Sequence, residues 1–511
     1  MRTKGRAIFL ATVVVVLANV VGRLLGFLRD LAIANYFGAS AATDAFMVAW
    51  TIPESVSTLI MEGAMVGVLL PLFARELEFS GSIKGLVSRS ILPVVVALLA
   101  LTCVSVVLAR PLVNILAPGL EDPQLAAQLV RITSTTVFFM GLAGYVTAAL
   151  NASLVFAVPA AVFAAYNVGI LASVFLFQGR FGIHSVAVGL AAGSVLMVVV
   201  QIPSFVRAGG LAWPSPKLDR VMLVEFAAFV PVGVFTLSRQ AQVYVERYLG
   251  SFLDAGAVSH LNYASKVGQV PMSLAVTITV VTFPIIARTS AAGETGELKR
   301  VLEKDLRLVS LAVLPAAATL VVFAPEVVRL LFERGAFSPE DTRATASILR
   351  IYSLGLLAQA LVWPTARPFL TRSSSIWVPV YGGVIGLAAT VVAAVALLRP
   401  FGTEGLAAAN ALGITFMAAV MVCWLPRHVQ GMNLKELWRS LATLTSAAVL
   451  AAACALPVIP LADRLALPAV AELALGGAVI TAAYALIGLA MGVEELRQLR
   501  QGVVGWLRGR R

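Results

Sequence analysis

Apolar residues along this chain fall into long runs separated by short polar clusters, and each run is close to the roughly 20 residues that cross a bilayer as a helix. Fourteen such runs are read, at 7–28, 45–75, 86–109, 128–151, 156–177, 183–206, 222–249, 257–288, 306–333, 343–370, 376–397, 404–426, 438–460 and 468–491. The second and eighth are long enough to need tilt or a kink, which Pro53 and Pro271 can supply. The N-terminal MRTKGR leads into an apolar run with no small-residue cleavage site, so the first run is read as a retained helix and not as a cleaved leader. The fold class expected is an all-α integral membrane protein of about 14 transmembrane helices.

Composition strengthens that reading. Of 511 residues 59% are hydrophobic and only 13% charged, with a mean hydropathy of +0.93, whereas a soluble chain carries about 25% charged residues. Sorting the 38 Lys and Arg residues with the N-terminus inside puts 24 at cytoplasmic ends and loops and seven outside, the latter being Arg110, Arg180, Arg329, Arg334, Arg343, Arg399 and Arg464. That asymmetry predicts cytoplasmic N- and C-termini. It also accounts for the net charge of +12: the basic loops face anionic lipid head groups, and no nucleic-acid partner is needed.

Three pairs of segments repeat in order at nearly one spacing. LPLFAR (70–75) matches FPIIAR (283–288), APGLEDPQLAAQLVRIT (117–133) resembles RGAFSPEDTRATASILRIY (334–352), and FGIHSVAVG (181–189) matches FGTEGLAAA (401–409). Spans 1–6 are therefore expected to recur as spans 7–12. Six is even, so the halves share one membrane topology and are related by an axis along the membrane normal, with a substrate site expected near the midplane where they face each other. The domains expected are an N-lobe at 1–210, a C-lobe at 211–430, and 431–511 holding two further helices and a basic cytoplasmic tail.

Seven basic residues remain within or at the edge of spans: Arg23, Arg29, Arg131, Arg239, Arg247, Lys266 and Arg350. Each charge at the bilayer centre costs about 2.5 to 3.5 kcal/mol on insertion scales, so such residues mark substrate paths by default. In GRLLGFLRD (22–30), Arg23 and Asp30 are seven residues apart and lie about 20° from one another on a helix, with Arg29 about 120° away. Arg23 and Asp30 can thus share a cavity or pair, while snorkelling of Arg23 and an interfacial Arg29–Asp30 end are the structural alternative. Gly22 and Gly26 add a small-xxx-small spacing that admits a close helix or ligand. On the second span Glu54 and Glu62 are roughly cofacial, with Asp44 at the start; they either neutralise the arginines or move with protons or cations. On the seventh, Glu246 lies seven residues from Arg239 and can neutralise it, next to Arg247. Counted against Asp30, Asp44, Glu62, Glu225 and Glu246, the bases are in excess, which suits an anionic substrate, and guanidinium forks match phosphate oxygens.

Other chemistry has no visible seat. Cys103, Cys423 and Cys454 lie singly in apolar spans and are expected to pack in the core, and His184, His260 and His428 are scattered without ligand spacing. No HExxH or Gly-rich phosphate loop is present, so no metal or other cofactor is expected.

GRLLGFLRD, FGASAATDAF (37–46) and MEGAM (61–65), with ERGAFSPEDT (333–342) further on, together resemble the signatures of the MurJ/MviN family of lipid II flippases. The resemblance implies a MOP-superfamily exporter with two six-helix lobes and two extra C-terminal helices that help form a groove for a polyprenyl tail. It implies that Arg23, Arg29, Asp30, Asp44 and Glu62 bind or gate a diphosphate head group. Gly26 and Lys266 are read into the same set from their places in the spans, and Ser57, Arg239, Glu246 and Arg247 are candidates for further cavity residues. Two positions depart from the family pattern. Ser57 and Thr58 stand where a pair of arginines is common, and Lys266, in NYASK, stands for an arginine, keeping the charge but losing the bidentate fork.

The function expected is translocation of lipid II from the inner to the outer leaflet of the bacterial cytoplasmic membrane by alternating access, driven by membrane potential or a monovalent cation, with no bond made or broken. A flippase for another polyprenyl-diphosphate glycan is the first alternative, motivated by Ser57 and Lys266. A cation-coupled drug exporter would favour an acidic cavity. An enzyme acting on polyprenyl phosphates would need clustered carboxylates or histidines at one membrane face, which EDPQ (121–124) and EEL (494–496) do not supply.

Overall fold

Helices account for almost all of the computed structural model, which describes residues 2–60, 68–215, 230–292, 295–370, 377–429, 431–498 and 500–501. Contacts divide the chain into two compact units, Met1–Ser259 with Arg334–Phe337, and His260–Glu333 with Ser338–Arg511.

The first unit begins with α1 (Arg2–Phe37) and α2 (Ala41–Ser57), joined by a turn at Gly38 and capped by Ser40, whose side chain accepts the Thr43 N–H. Beyond α2 the backbone widens to π-helical turns at 58–60 and 68–69, and α3 (Leu70–Ser80) ends at Gly81. The long α4 (Lys84–Val107) hands over to a short amphipathic α5 (Ala109–Leu116). The next span is two helices, α6 (Pro123–Thr133) and α7 (Thr135–Ala152), broken at Ser134. After them come α8 (Ala157–Phe181), α9 (His184–Arg207) and α10 (Val230–Gly250). Helix α8 packs along both α1 and α9.

The second unit follows the same order. Helix α11 (Ala257–Ala292) runs unbroken through Pro271 and Pro284. Then come α12 (Thr295–Val322), the amphipathic α13 (Ala324–Phe332), and α14 (Pro339–Leu354) with α15 (Leu356–Leu370), bent by 44° between them. Helix α16 (Val378–Trp424) is interrupted at Gly402. Helices α17 (Leu434–Ala455), α18 (Val458–Arg464) and α19 (Ala469–Ala490) complete the unit. Helix α12 is central, packed on α14, α15, α17 and α19.

The sequence repeat has a structural counterpart. Long helix, amphipathic helix, broken span, long helix, glycine and long helix occur in that order as α4 to α9 and again as α12 to α16. Gly182 (φ 52°, ψ −136°) and Gly402 (φ 53°, ψ −127°), matched at a spacing of 220, adopt nearly the same conformation. It is a region that residues with a Cβ avoid. The proline-started helices match too: Asp122 caps α6 and Ser338 caps α14, the latter in a reciprocal capping box with Asp341.

With broken helices grouped and α16 divided at Gly402, the described helices give fourteen segments in the expected order. Eight of the described helices, or nine with the bent pair, are long and apolar enough to cross a membrane by length and composition.

One boundary and one burial expectation differ from what is observed. The span read at 306–333 begins at Thr295 and stops at Val322. Charged residues from Lys299 to Arg307 hid its start, while the apolar face of α13, with Ala324, Val327, Val328 and Phe332 buried, carried the hydropathy past the break. The cysteines are the second correction: all three are exposed on helix surfaces and do not pack in the core. In a membrane chain an exposed apolar position faces lipid, so hydropathy alone does not separate core from surface.

Several buried polar groups inside the helices are paired across helices, as a dry environment favours. The Tyr145 hydroxyl and Ser90 Oγ lie 2.7 Å apart, and Gln201 accepts from Thr147 while donating to the Ala143 carbonyl.

Candidate functional site

Helix α1 carries the densest group of expected site residues, and its glycines decide how they are held. A Cβ on Gly26 would stand 3.3 Å from Asn167 Nδ2, and one on Gly22 would stand 3.4 Å from Ala164 N. Helix α8 therefore lies in the groove that the small residues leave. Asn167 then donates to the Gly22 and Phe163 carbonyls at 3.1 and 2.9 Å, and its Oδ1 accepts from Arg29 Nη1 at 3.2 Å.

Arg29 also donates through Nε and Nη2 to Asp30 Oδ1, at 3.0 and 2.8 Å. The partner of Asp30 is its neighbour Arg29 and not Arg23, the pairing that helix spacing favoured, because the long guanidinium side chain folds back along the helix. Arg23 is exposed and makes no hydrogen bond or ion pair among the described residues. The result is one fixed, half-buried guanidinium and, two turns earlier, one exposed guanidinium.

Asp44, 4% exposed, sits at the start of α11. Its Oδ2 accepts the Gly256 N–H at 2.8 Å, and its Oδ1 accepts the Ser259 N–H and hydroxyl at 2.7 and 2.5 Å. These are the amides that a helix N-terminus leaves without intrahelical partners, and the helix dipole favours a carboxylate there. Arg247, 4% exposed, donates to the Val258 carbonyl at 3.1 Å in the same turn. Beside this clasp, a cavity of about 300 Å³ is lined by Ala41, Asp44, Gly119, Glu121, Ser251 and Ala255, among others, and Gly119 N–H donates to Ser251 Oγ at 3.1 Å. The ERGAF part of the 333–342 motif has a local role: the Ala336 N–H donates to the Asn35 carbonyl at the end of α1, at 2.8 Å.

The remaining expected residues are dispersed. Ser57 is half-buried at the last position of α2, and Thr58 donates to the Glu54 carbonyl. Glu246 is buried on α10; Arg239 is on the same helix, but its side chain lies outside the described residues. Lys266 is half-buried on α11 in the second unit. Glu62 and Glu225 lie outside the described residues. Arg131 and Arg350, matched by the repeat, are both exposed, on α6 and α14.

In the second unit, an apolar groove of about 630 Å³ runs between α15, α16 and α17, lined by Leu357, Leu361, Ala418, Trp438, Leu441 and Val449, among others. Among the described residues no group of three His, Cys, Asp or Glu side chains is placed to hold a metal ion.

Three partners escaped the sequence reading. Asn167 is a lone polar residue in an apolar run, a signal present but not used. Gly256 and Ser259 contribute backbone amides, which leave no trace in residue identity, and the Ser259 hydroxyl is a further polar signal not used.

The sequence model described as "Lipid II flippase MurJ" matches residues 33–467. A probable lipid II flippase MurJ of Rhizobium meliloti (strain 1021) is 28% identical over 517 residues, covering 95% of this chain and 94% of that one. A solved structure titled "Lipid II flippase MurJ, inward closed conformation" aligns with a TM-score of 0.78 at 22% identity over 94% of this chain and 99% of that chain. An outward-facing multidrug resistance MATE family transporter of the MOP superfamily aligns at 0.61 and 14% identity, over 83% of this chain and 96% of that chain. The chain belongs to the lipid II flippase MurJ family.

Proposed function

We propose that this protein moves lipid II from the inner to the outer leaflet of the bacterial cytoplasmic membrane by alternating access, as a transporter that makes and breaks no bond. Membership of the family across most of the chain is the observation that carries this reading. The fixed Arg29, held from both sides by Asp30 and Asn167, and the exposed Arg23 supply the donors that a diphosphate needs. Asp44 closes onto the α11 amides as a breakable, charge-assisted clasp, the element that a gate requires. Gly26 keeps α8 close enough to orient Arg29. Lys266, Ser57, Glu62, Arg239, Glu246 and Arg247 complete the proposed set. The apolar groove of the second unit suits a polyprenyl tail. Both termini are cytoplasmic on the distribution of Lys and Arg, and membrane potential or a monovalent cation drives export. The lobes we propose are 1–210 and 211–430, followed by 431–511.

The test is depletion in the host, reading how much lipid II becomes accessible at the outer leaflet. The reading requires a fall, with lipid II building up inside. Unchanged export with loss of another surface glycan assigns the fold to a different polyprenyl-diphosphate cargo, the reading that Ser57 and Lys266 favour.

A further inference from the structure

The inner stripe of α12 is apolar except at Asp305 and at Ser310, whose hydroxyl is taken up by the Leu306 carbonyl of its own helix. Leu298, Leu302, Leu306, Val309 and Val313 are at most 2% exposed, and Asp305 is in the same stripe at 0%. Its Oδ2 accepts from the Thr282 hydroxyl of α11 at 2.5 Å. Its Oδ1 is buried and has no hydrogen-bond partner among the described residues. Arg367 of α15 is the charged group that acts on it electrostatically, and that guanidinium also donates to the Thr279 carbonyl of α11. A buried carboxylate with an orphan oxygen is costly when ionised and is relieved by taking up a proton or a cation. The neighbouring guanidinium opposes any cation, but a metal ion needs several oxygen ligands where this site leaves one oxygen open, and a proton needs only that one.

We propose that Asp305 is a proton-exchanging site of the second unit, whose occupancy governs how α11 and α15 are fastened to α12. Protonation forms one O–H bond at Oδ1, with the proton drawn from water, and cancels one negative charge. No other bond changes, and the proton leaves by the reverse step. Thr282, which is bonded to the carboxyl, is half-buried, so a single residue lies between Asp305 and the surface of the unit. When Asp305 is ionised, its attraction for Arg367 holds α15 and, through the Thr279 carbonyl, α11. When it is neutral, that fastening loosens. This gives a transporter a step sensitive to proton occupancy, and to that extent the inference rests on the flippase reading above.

The experiment uses the purified full chain in lipid nanodiscs, with infrared difference spectra recorded over a series of pH steps. The expected result is a protonated-carboxyl C=O band that appears and disappears with pH. It is lost in Asp305→Asn and shifted in frequency in Thr282→Val, which keeps the carboxyl but removes its donor. In vesicles, lipid II transport by the unaltered chain should change severalfold with pH, and that dependence should vanish in Asp305→Asn. Absence of a titrating band that responds to either substitution overturns the proposal, as does a band that answers to sodium concentration and not to pH. If no form moves lipid II, the flippase reading fails, while the infrared titration still decides the proton site.

Discussion

The carboxylate of Asp44 accepts both the backbone N–H and the hydroxyl of Ser259, at 2.7 and 2.5 Å. With the Gly256 N–H on its other oxygen it satisfies both ends of the first turn of α11. Replacing a capping side chain costs about 0.5 to 2 kcal/mol, and a hydrogen bond to a charged group is worth about 1.5 to 3 kcal/mol. Asp44→Ala should therefore lower stability by roughly 2 kcal/mol and impair complementation in a depleted host, with Asp44→Asn milder in both. Thermal unfolding in detergent and growth assays read the two effects. Equal, unchanged behaviour in both variants excludes the clasp as a functional element.

Arg29 uses three nitrogens on two acceptors, a geometry that lysine does not reproduce. Arg29→Lys should reduce lipid II export on the order of tenfold, which is the loss of about 1.4 kcal/mol. Arg29→Glu should abolish export while the protein stays in the membrane. Retained export by Arg29→Glu, at normal abundance, removes Arg29 from the site.

Gly182 and Gly402 share one conformation, so they should share one cost. Alanine at either place should destabilise by about 1 to 3 kcal/mol, by equal amounts within error. Neither glycine has a neighbour within 4 Å of an added Cβ, so backbone conformation alone sets the cost. Unequal effects would show that the two turns are not equivalent.

Glu472 is 7% exposed on α19, where burial and the nearby acids Glu326 and Asp463 disfavour its charge and Arg329 offsets only part of that. Glu472→Gln removes that repulsion without changing shape and should raise the thermal midpoint, by a stability gain on the order of 1 kcal/mol. A lower midpoint would mean that the carboxylate is held by a favourable partner.

Most of the helix order was legible because bilayer-length apolar runs leave few alternatives, and FGIHSVAVG and FGTEGLAAA already pointed to the twin glycine turns. The start of α12 was not legible, since six charged residues between Lys299 and Arg307 read as loop while Leu298, Leu302 and Leu306 form a buried stripe beneath them. Asp305 was hidden for the same reason: its importance depends on which side of the helix faces in. At the candidate site, identity and spacing found Arg29, Asp30 and Asp44. They did not find that Arg29 turns back onto its neighbour or that Asp44 meets main-chain amides, because side-chain length and backbone donors lie outside any pattern of residue types.

The outward placement of Cys103, Cys423 and Cys454 has a practical side. A thiol on a helix surface that faces lipid is out of reach of charged, water-borne reagents. The natural chain should therefore be silent to membrane-impermeant maleimides. A single cysteine introduced at a loop reports which side of the membrane that loop faces, with no need to strip the native three.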